Sequence, residues 1–285
     1  HAFASMEELA NSGLLDLDAQ LQVTGTLTNE QAGTVNFAPG SAATLGALIN
    51  DGTLTNAGQL VVTGHADNRA GATLDLANGS QNTFGSLANA GLVTSAASIS
   101  VVDSFTQTAG TLASSADLSV GGAYNQAAGD VTLGTTLAVG GSLTLSDATL
   151  NVGGEAMVLG SYSQTLANLS AGQALLVSGD HAQTGGVASV HGDLMVGGNS
   201  ALENADLDVG GHLTANRNLR QTGGTSVVTG MVGVGGDFSL ADGSLEAGSD
   251  MLALQNAALN NADLDVGGML NVGAALAQTG GTTTI

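Results

Sequence analysis

The chain has 285 residues, of which 44 are glycine and one is proline, with no cysteine or tryptophan. Its formal net charge is −21, set by 24 acidic residues against three arginines, Arg69, Arg217 and Arg220, and no lysine. Collagen is excluded, because it needs glycine at every third position and abundant proline. So are a disulfide scaffold and a Cys-ligated metal site. Nucleic acid and anionic membrane surfaces, which bind clustered Lys and Arg, are excluded as partners.

The opening residues, His1-Ala-Phe-Ala-Ser-Met-Glu-Glu, lack the charged and apolar regions of a signal peptide. Residues 1–12 are expected to be a leader, a tag or a poorly ordered segment. No run reaches 18 apolar residues, so no membrane-spanning helix or other membrane insertion is expected.

From Gly13 onward the chain repeats. The anchors Gly13, Gly33, Gly52, Gly71 and Gly91 are separated by steps of 20, 19, 19 and 20 residues. From Gly91 every step is 19, through Gly110, Gly129, Ala148, Ala167, Gly186, Ala205, Gly224, Gly243, Ala262 and Gly281. Within a repeat, apolar residues recur at the second, fourth, eighth, tenth and fourteenth positions after the anchor. In the repeat after Gly129 these are Val131, Leu133, Leu137, Val139 and Leu143, with Leu145 at the mixed sixteenth position. Alternation of period two marks strands with one buried face. Glycines such as Gly122, Gly141, Gly160 and Gly179 recur at the twelfth position and mark corners. A helical solenoid is excluded, since each glycine would cost about 1 kcal/mol in a helix. No Asn-Gly or Asp-Gly turn recurs in the repeat to close hairpins, so successive coils must pair in parallel. The predicted fold is all-β: a right-handed parallel β-solenoid, or β-helix, with three short strands in each 19-residue coil. Residues 13–285 form one continuous array of about 14 coils, expected to be an excised portion of a longer one.

In such an array, residues one repeat apart stack as columns. The sixteenth position holds Gln107, Gln126, Gln164, Gln183, Gln221 and Gln278, which point inward by parity and need hydrogen-bond partners. The fourteenth holds Phe105, Tyr124, Tyr162 and Phe238, read as core rather than as a sugar-stacking platform. Both columns are expected to be structural. Asp206 and Asp208 recur as Asp263 and Asp265 on the outward side of the first strand. They are the candidate calcium ligands, with solvated surface charge as the plainer reading, because calcium wants six to eight oxygens. His65, His181, His191 and His212 share neither a column nor a metal-ligand spacing, and no cofactor is expected. A Thr-x-Thr ice-binding ladder fits Thr53/Thr55 and Thr282/Thr284. It is broken by Ala72/Leu74, Asp130/Thr132, Val187/Ser189 and Asp206/Asp208.

Three segments, Leu207-Asp-Val-Gly-Gly-His-Leu, Ala66-Asp-Asn-Arg-Ala-Gly and Gln221-Thr-Gly-Gly-Thr, resemble the repeat region of filamentous haemagglutinin-type exoproteins, the secreted partners of two-partner secretion systems. The resemblance implies a secreted or cell-surface location, export through an outer-membrane transporter, and a role in adhesion, biofilm formation or display of a distal domain. Partners would be a host or bacterial surface glycan or protein, or further copies stacked end to end. The expectation is therefore a structural or adhesive shaft without catalysis. The competing expectation is an extracellular carbohydrate-active β-helix enzyme, such as a polysaccharide lyase or a depolymerase. Such enzymes throw long loops out between coils, whereas only two repeats here depart from the common length, each by one position.

Overall fold

The computed structural model describes residues 3–285. The chain is a parallel β-solenoid of about 15 turns with about 19 residues per turn, and no helix occurs among the described residues. It falls into two units, His1–Gly140 and Gly141–Ile285.

The second unit follows the predicted pattern closely. One coil contributes the strands Asn168–Ala171, Leu175–Val177 and His181–Thr184. Each pairs in parallel with its counterpart one coil on, as in Asn168↔Val187, Leu175↔Leu194 and His181↔Ser200. Alternation explains the burial: Leu169 and Ala171, then Leu175 and Val177, lie inside, while the residues between them face out. The fully buried side chains are mainly Leu, Val and Ala, whose widths suit parallel strands about 4.8 Å apart.

The corner before each first strand shows why the anchor alternates between glycine and alanine. At Gly185-Gly186, Gly223-Gly224 and Gly280-Gly281 both residues have positive φ. At Asn204-Ala205 and Asn261-Ala262 the asparagine alone takes it, at 46° and 49°, and the anchor is free to be alanine. Asparagine is among the few residues that enter this region at modest cost.

The first unit departs from the predicted pattern in three ways. Residues 3–11, expected to lie outside the array, form the strands Phe3–Met6 and Leu9–Asn11. These pair with the strand Gln20–Asn29, in the registers Phe3↔Gln20 and Leu9↔Leu27. The array thus starts before Gly13, because Leu9-Ala-Asn11 repeats Leu27-Thr-Asn29 without an anchoring glycine. Second, Ala72 rather than Gly71 occupies the anchor position: Thr53 pairs with Thr73, and Ala72 and Leu74 are buried. The outward pair in that coil is therefore Thr73/Asp75, not Ala72/Leu74. Third, second and third strands fuse over Gln20–Asn29, Ala42–Asn50, Gln59–Asn68 and Gln81–Asn89. A register shift bends each junction, between Val23 and Thr26 for example.

These fused coils alternate. Corners of four residues, 30–33 and 38–41, are followed by corners of two, 51–52 and 57–58, and the series repeats at 69–72, 77–80 and 90–91. The repeating object is a double coil, relating Gln20–Asn29 to Gln59–Asn68 and Ala42–Asn50 to Gln81–Asn89. Its marks in the sequence are Ala38-Pro-Gly-Ser41 and Ala77-Asn-Gly-Ser80. Each closes a turn, with Ser41 N donating to Ala38 O at 3.0 Å and Ser80 N to Ala77 O at 3.1 Å. Gly40 and Gly79, at φ 84° and 83°, take the third turn position, as a type II turn requires.

Gly46 lies at one of the bent junctions, where a Cβ would meet Thr24 O at 2.2 Å and Gly25 O at 2.6 Å. Gly40 has open space around it. Gly46→Ala is expected to cost about 3 kcal/mol, the upper end for an overpacked position. Gly40→Ala is expected to cost only about 1 kcal/mol, from its φ alone. Urea unfolding of the two variants compares them, and equal losses would refute the packing account.

Candidate functional site

The polar groups in this fold are organised as columns, and three columns carry most of them. The first is the inward amide column. Gln107, Gln126, Gln164, Gln183 and Gln221 are buried to within 1% exposure, whereas Gln278, in the last coil, is exposed. Each long side chain folds back on the adjacent corner. Gln126 Nε2 donates to Gly129 O at 2.8 Å, Gln183 Nε2 to Gly186 O at 3.2 Å and Gln221 Nε2 to Gly224 O at 3.1 Å. Gln183 and Gln221 also reach one coil on, to Asp206 O at 3.0 Å and Ser244 O at 2.9 Å. The glutamines therefore tie the third corner to the next coil, and each buried Nε2 named here finds a carbonyl without a ligand.

The column continues upstream as asparagine, which the glycine anchors do not mark. Asn11, Asn29, Asn50, Asn68, Asn89 and Gln107 form one chain of amides in the first unit. Each Nδ2 donates to the next side-chain oxygen, at 2.9 Å for Asn11 to Asn29 and 2.8 Å for each later step. The second hydrogen of each amide goes to a backbone carbonyl one coil on, such as Thr53 O from Asn29 at 3.0 Å and Thr73 O from Asn50 at 2.9 Å. Asn29, Asn50, Asn68 and Asn89 are at most 1% exposed. All the dipoles point the same way, so each bond polarises the next. The signal available in the sequence is the recurrence of Leu-x-Asn at Leu27, Leu48 and Leu87, with Phe105-Thr-Gln107 after it.

The second column is aromatic. Phe105, Tyr124, Tyr162 and Phe238 are all fully buried, and the Phe105 and Tyr124 rings lie 4.9 Å apart. Tyr124 Oη donates to Gln126 Oε1 at 3.0 Å, and Tyr162 Oη donates to Gln164 Oε1 in the same way. Each tyrosine thus satisfies the amide two residues along its own strand, and burial holds both phenols well above their ordinary pKa. His181 stands in this column too. It is 1% exposed, stacks on Tyr162 at 5.2 Å with an interplanar angle of 5°, and contacts Ser200 Oγ through Nδ1 at 3.1 Å. Its Nε2 is buried without a hydrogen-bond partner, as is Gln183 Oε1 on the same strand. Burial pushes its pKa down to about 4.

The third set is the outward carboxylates. Asp206 and Asp263 belong to coils three repeats apart and are not brought together. One oxygen of each accepts a backbone N–H from the next coil: Thr225 N to Asp206 at 3.1 Å and Thr282 N to Asp263 at 3.0 Å. Thr282 Oγ1 adds a bond of 2.6 Å to Asp263. Asp208 and Asp265 are exposed on the same strands. No group of three or more His, Asp or Glu able to hold a metal occurs among the described residues.

Similar capping columns run along two corners. Asp180 Oδ1 accepts from Asn199 N at 2.7 Å, Asn218 Oδ1 from Asp237 N at 2.8 Å, and Asp237 Oδ1 from Asn256 N at 3.1 Å. At the other corner Asp193 Oδ1 accepts from His212 N at 2.7 Å, and His212 Nδ1 accepts from Met231 N at 2.8 Å. The bonds from Asn199 hold the Asp180 carboxyl below its ordinary pKa. For Asp117, bonds from Thr135 and Thr136 do the same. These short polar side chains give the corner amides named here a partner one coil away, while neighbouring corner amides such as Gly198 N and Gly236 N donate to backbone carbonyls.

No protein-family model matches the chain, and no curated protein or solved structure matches it.

Proposed function

We propose that this chain is a non-catalytic shaft of a secreted bacterial surface protein of the filamentous haemagglutinin type. The observation that supports the reading is the economy of the connections: every corner between strands holds two to four residues. Side chains that tie one coil to the next occupy the interior column and the corners alike, so the sequence is spent on stacking. On this reading the protein leaves the cell through an outer-membrane transporter and stands on the surface, where it contacts or displays a contact to a glycan or protein. Stacking of copies end to end is the accompanying self-association.

The test is a pair of assays on the purified protein. Incubation with neutral and acidic polysaccharides should release neither reducing ends nor unsaturated uronates. Fluorescently labelled protein should be retained on host or bacterial cells above a control whose outward residues are scrambled. Turnover of any polysaccharide would sink the shaft reading, and absence of retention would leave a spacer rather than an adhesin.

A further inference from the structure

The three outward faces of the second unit differ in kind. The first strands present Thr149, Val187, Asp206, Thr225, Val227 and Asp263, and the third strands present Ser163, Ala182, Ala201, Arg220 and Ser239. The second strands present the large, flexible apolar side chains Met157, Leu176, Met195 and Leu252, with Thr214, Gly233 and Asn271 at the remaining coils. Met157 pairs with Leu176 and Leu176 with Met195, so the three stack on consecutive coils, and Leu252 follows three coils on. Met157 is 38% exposed and Met195 50% exposed, with Leu159 at 56% and Leu254 at 53% on the adjoining corner. Five of the chain's six methionines, Met157, Met195, Met231, Met251 and Met269, lie on these strands or at their corners, and only Met251 of the five is buried. Between Leu176, Met195 and Thr214 runs an open groove of about 280 Å³, lined also by Ser178, Gly197 and Asn216.

Both margins of this face are acidic. Glu155, Asp193 and Asp250 lie along one, and Asp180 and Asp237 along the other, with Arg217 as the single cation. Four of the five carboxylates are held in place by backbone N–H groups one coil on, at 2.7 Å for Asp180 and Asp193, 2.8 Å for Asp250 and 3.1 Å for Asp237. A strip bearing Met157 and Met195, flanked by Glu155 and Asp193 on one side and Asp180 on the other, has the form of a recognition surface: methionine adapts its shape to an apolar partner, and the carboxylates select its sign.

We propose that this face docks a cationic amphipathic helix of a partner protein. Its apolar stripe lies on Met157, Leu176 and Met195, and its Lys or Arg residues face the two acidic margins. The dimensions agree. Coils are about 4.8 Å apart and helical turns about 5.4 Å, so over three coils each turn of the helix meets one outward side chain with about 1 Å of drift. Charge argues against two other occupants. A second copy of this chain would bring acidic margins against acidic margins, and an anionic lipid surface would be repelled. The inference concerns this face alone and holds whether or not the chain serves as a shaft.

The probe is a synthetic 18-residue helix with a leucine stripe and lysines on both flanks. Two controls accompany it: a composition isomer with the stripe scattered, and a helix with glutamate in place of lysine. Calorimetry on the full chain should give saturable binding of the first peptide alone, weakened between about 0.05 and 0.5 M salt as screening predicts. The double variant Met157→Gln/Met195→Gln should bind at least about tenfold more weakly, as loss of a central apolar contact does. Val227→Gln, on another face, should bind like the wild type. Circular dichroism of each variant shows that the fold is retained. Equal binding of the scattered isomer, wild-type affinity in the double variant, or no binding at all would overturn the proposal. So would binding to uncharged vesicles, or a dimer in sedimentation that the double variant abolishes.

Discussion

Replacing Asn50 by leucine is expected to remove about 3–9 kcal/mol from the stability of the first unit, at about 1–3 kcal/mol for each of three buried polar groups left unpaired. Asn50 accepts from Asn29 Nδ2 at 2.8 Å, donates to Asn68 Oδ1 at 2.8 Å and donates to Thr73 O at 2.9 Å. Leucine fits the volume but leaves the Asn29 donor facing hydrocarbon and deprives Asn68 and Thr73 of the hydrogens they accept. The damage therefore falls on three coils rather than one. Urea unfolding measures the total, and hydrogen exchange localises it. Strands Ala42–Asn50 and Gln59–Asn68 should lose protection while Leu137–Val139 keeps it. Asn50→Gln is the matched control: it keeps the amide but displaces it by a methylene, and should cost less than leucine. A leucine variant as stable as the wild type would mean that the amide chain contributes geometry without energy.

The second large effect depends on acid. In an unfolded chain the His181 imidazole titrates near 6.5, and in the fold burial pushes it down to about 4. Between those values the unfolded chain binds a proton that the native state does not, so stability is complete above pH 6.5 and falls as pH drops through the window. The interval from 6.5 to 4 corresponds to about 3 kcal/mol lost by pH 4. The other titratable groups near this strand act elsewhere. Tyr162 stacks on the ring and stays neutral, with its phenol raised. Asp180, one residue before His181, has a lowered pKa and loses its contribution only below its ordinary value of 3.8, beneath the histidine window. Glu203, on the strand paired with that of His181, is exposed. His181→Phe places in the column the same ring that Phe105 and Phe238 supply. Its unfolding free energy should be nearly flat from pH 6.5 to 4.5, where the wild type slopes. An unchanged slope in the variant would show that the imidazole is not the group responsible.

The parts of this fold that can be read in the sequence are those that recur at one fixed step with period-two alternation inside. From Gly91 onward the first-strand registers match the anchors, as Leu92↔Thr111 and Asn168↔Val187 illustrate. Gln107, Gln126, Gln164, Gln183 and Gln221, like Phe105, Tyr124, Tyr162 and Phe238, face inward as their parity requires. The upstream coils are harder because their length varies at the corners. Measured at the amide column, the spacing runs 18, 21, 18, 21 and 18 from Asn11 to Gln107, so a fixed step passes over the asparagines. Gly71 draws the anchor to itself because glycine marks most anchors; in the structure it is a turn residue at φ 86° with the buried Ala72 behind it. His181 is read in the sequence only against the other histidines, as a metal ligand it does not make, although parity alone places it in the aromatic column between Tyr162 and Ser200.

The alternation of wide and narrow corners also governs how this unit can change length. Excising one double coil, Thr34 to Ala72, joins Gly33 to Thr73 and leaves each four-residue corner facing a two-residue one. Excising the single coil 34–52 would set wide on wide at one corner and narrow on narrow at the other, and break the step pattern that brings each asparagine amide under the next. A change of length that keeps these corners in step therefore adds or removes a pair of coils here, whereas in the second unit, where every step is 19 residues, a single coil is enough.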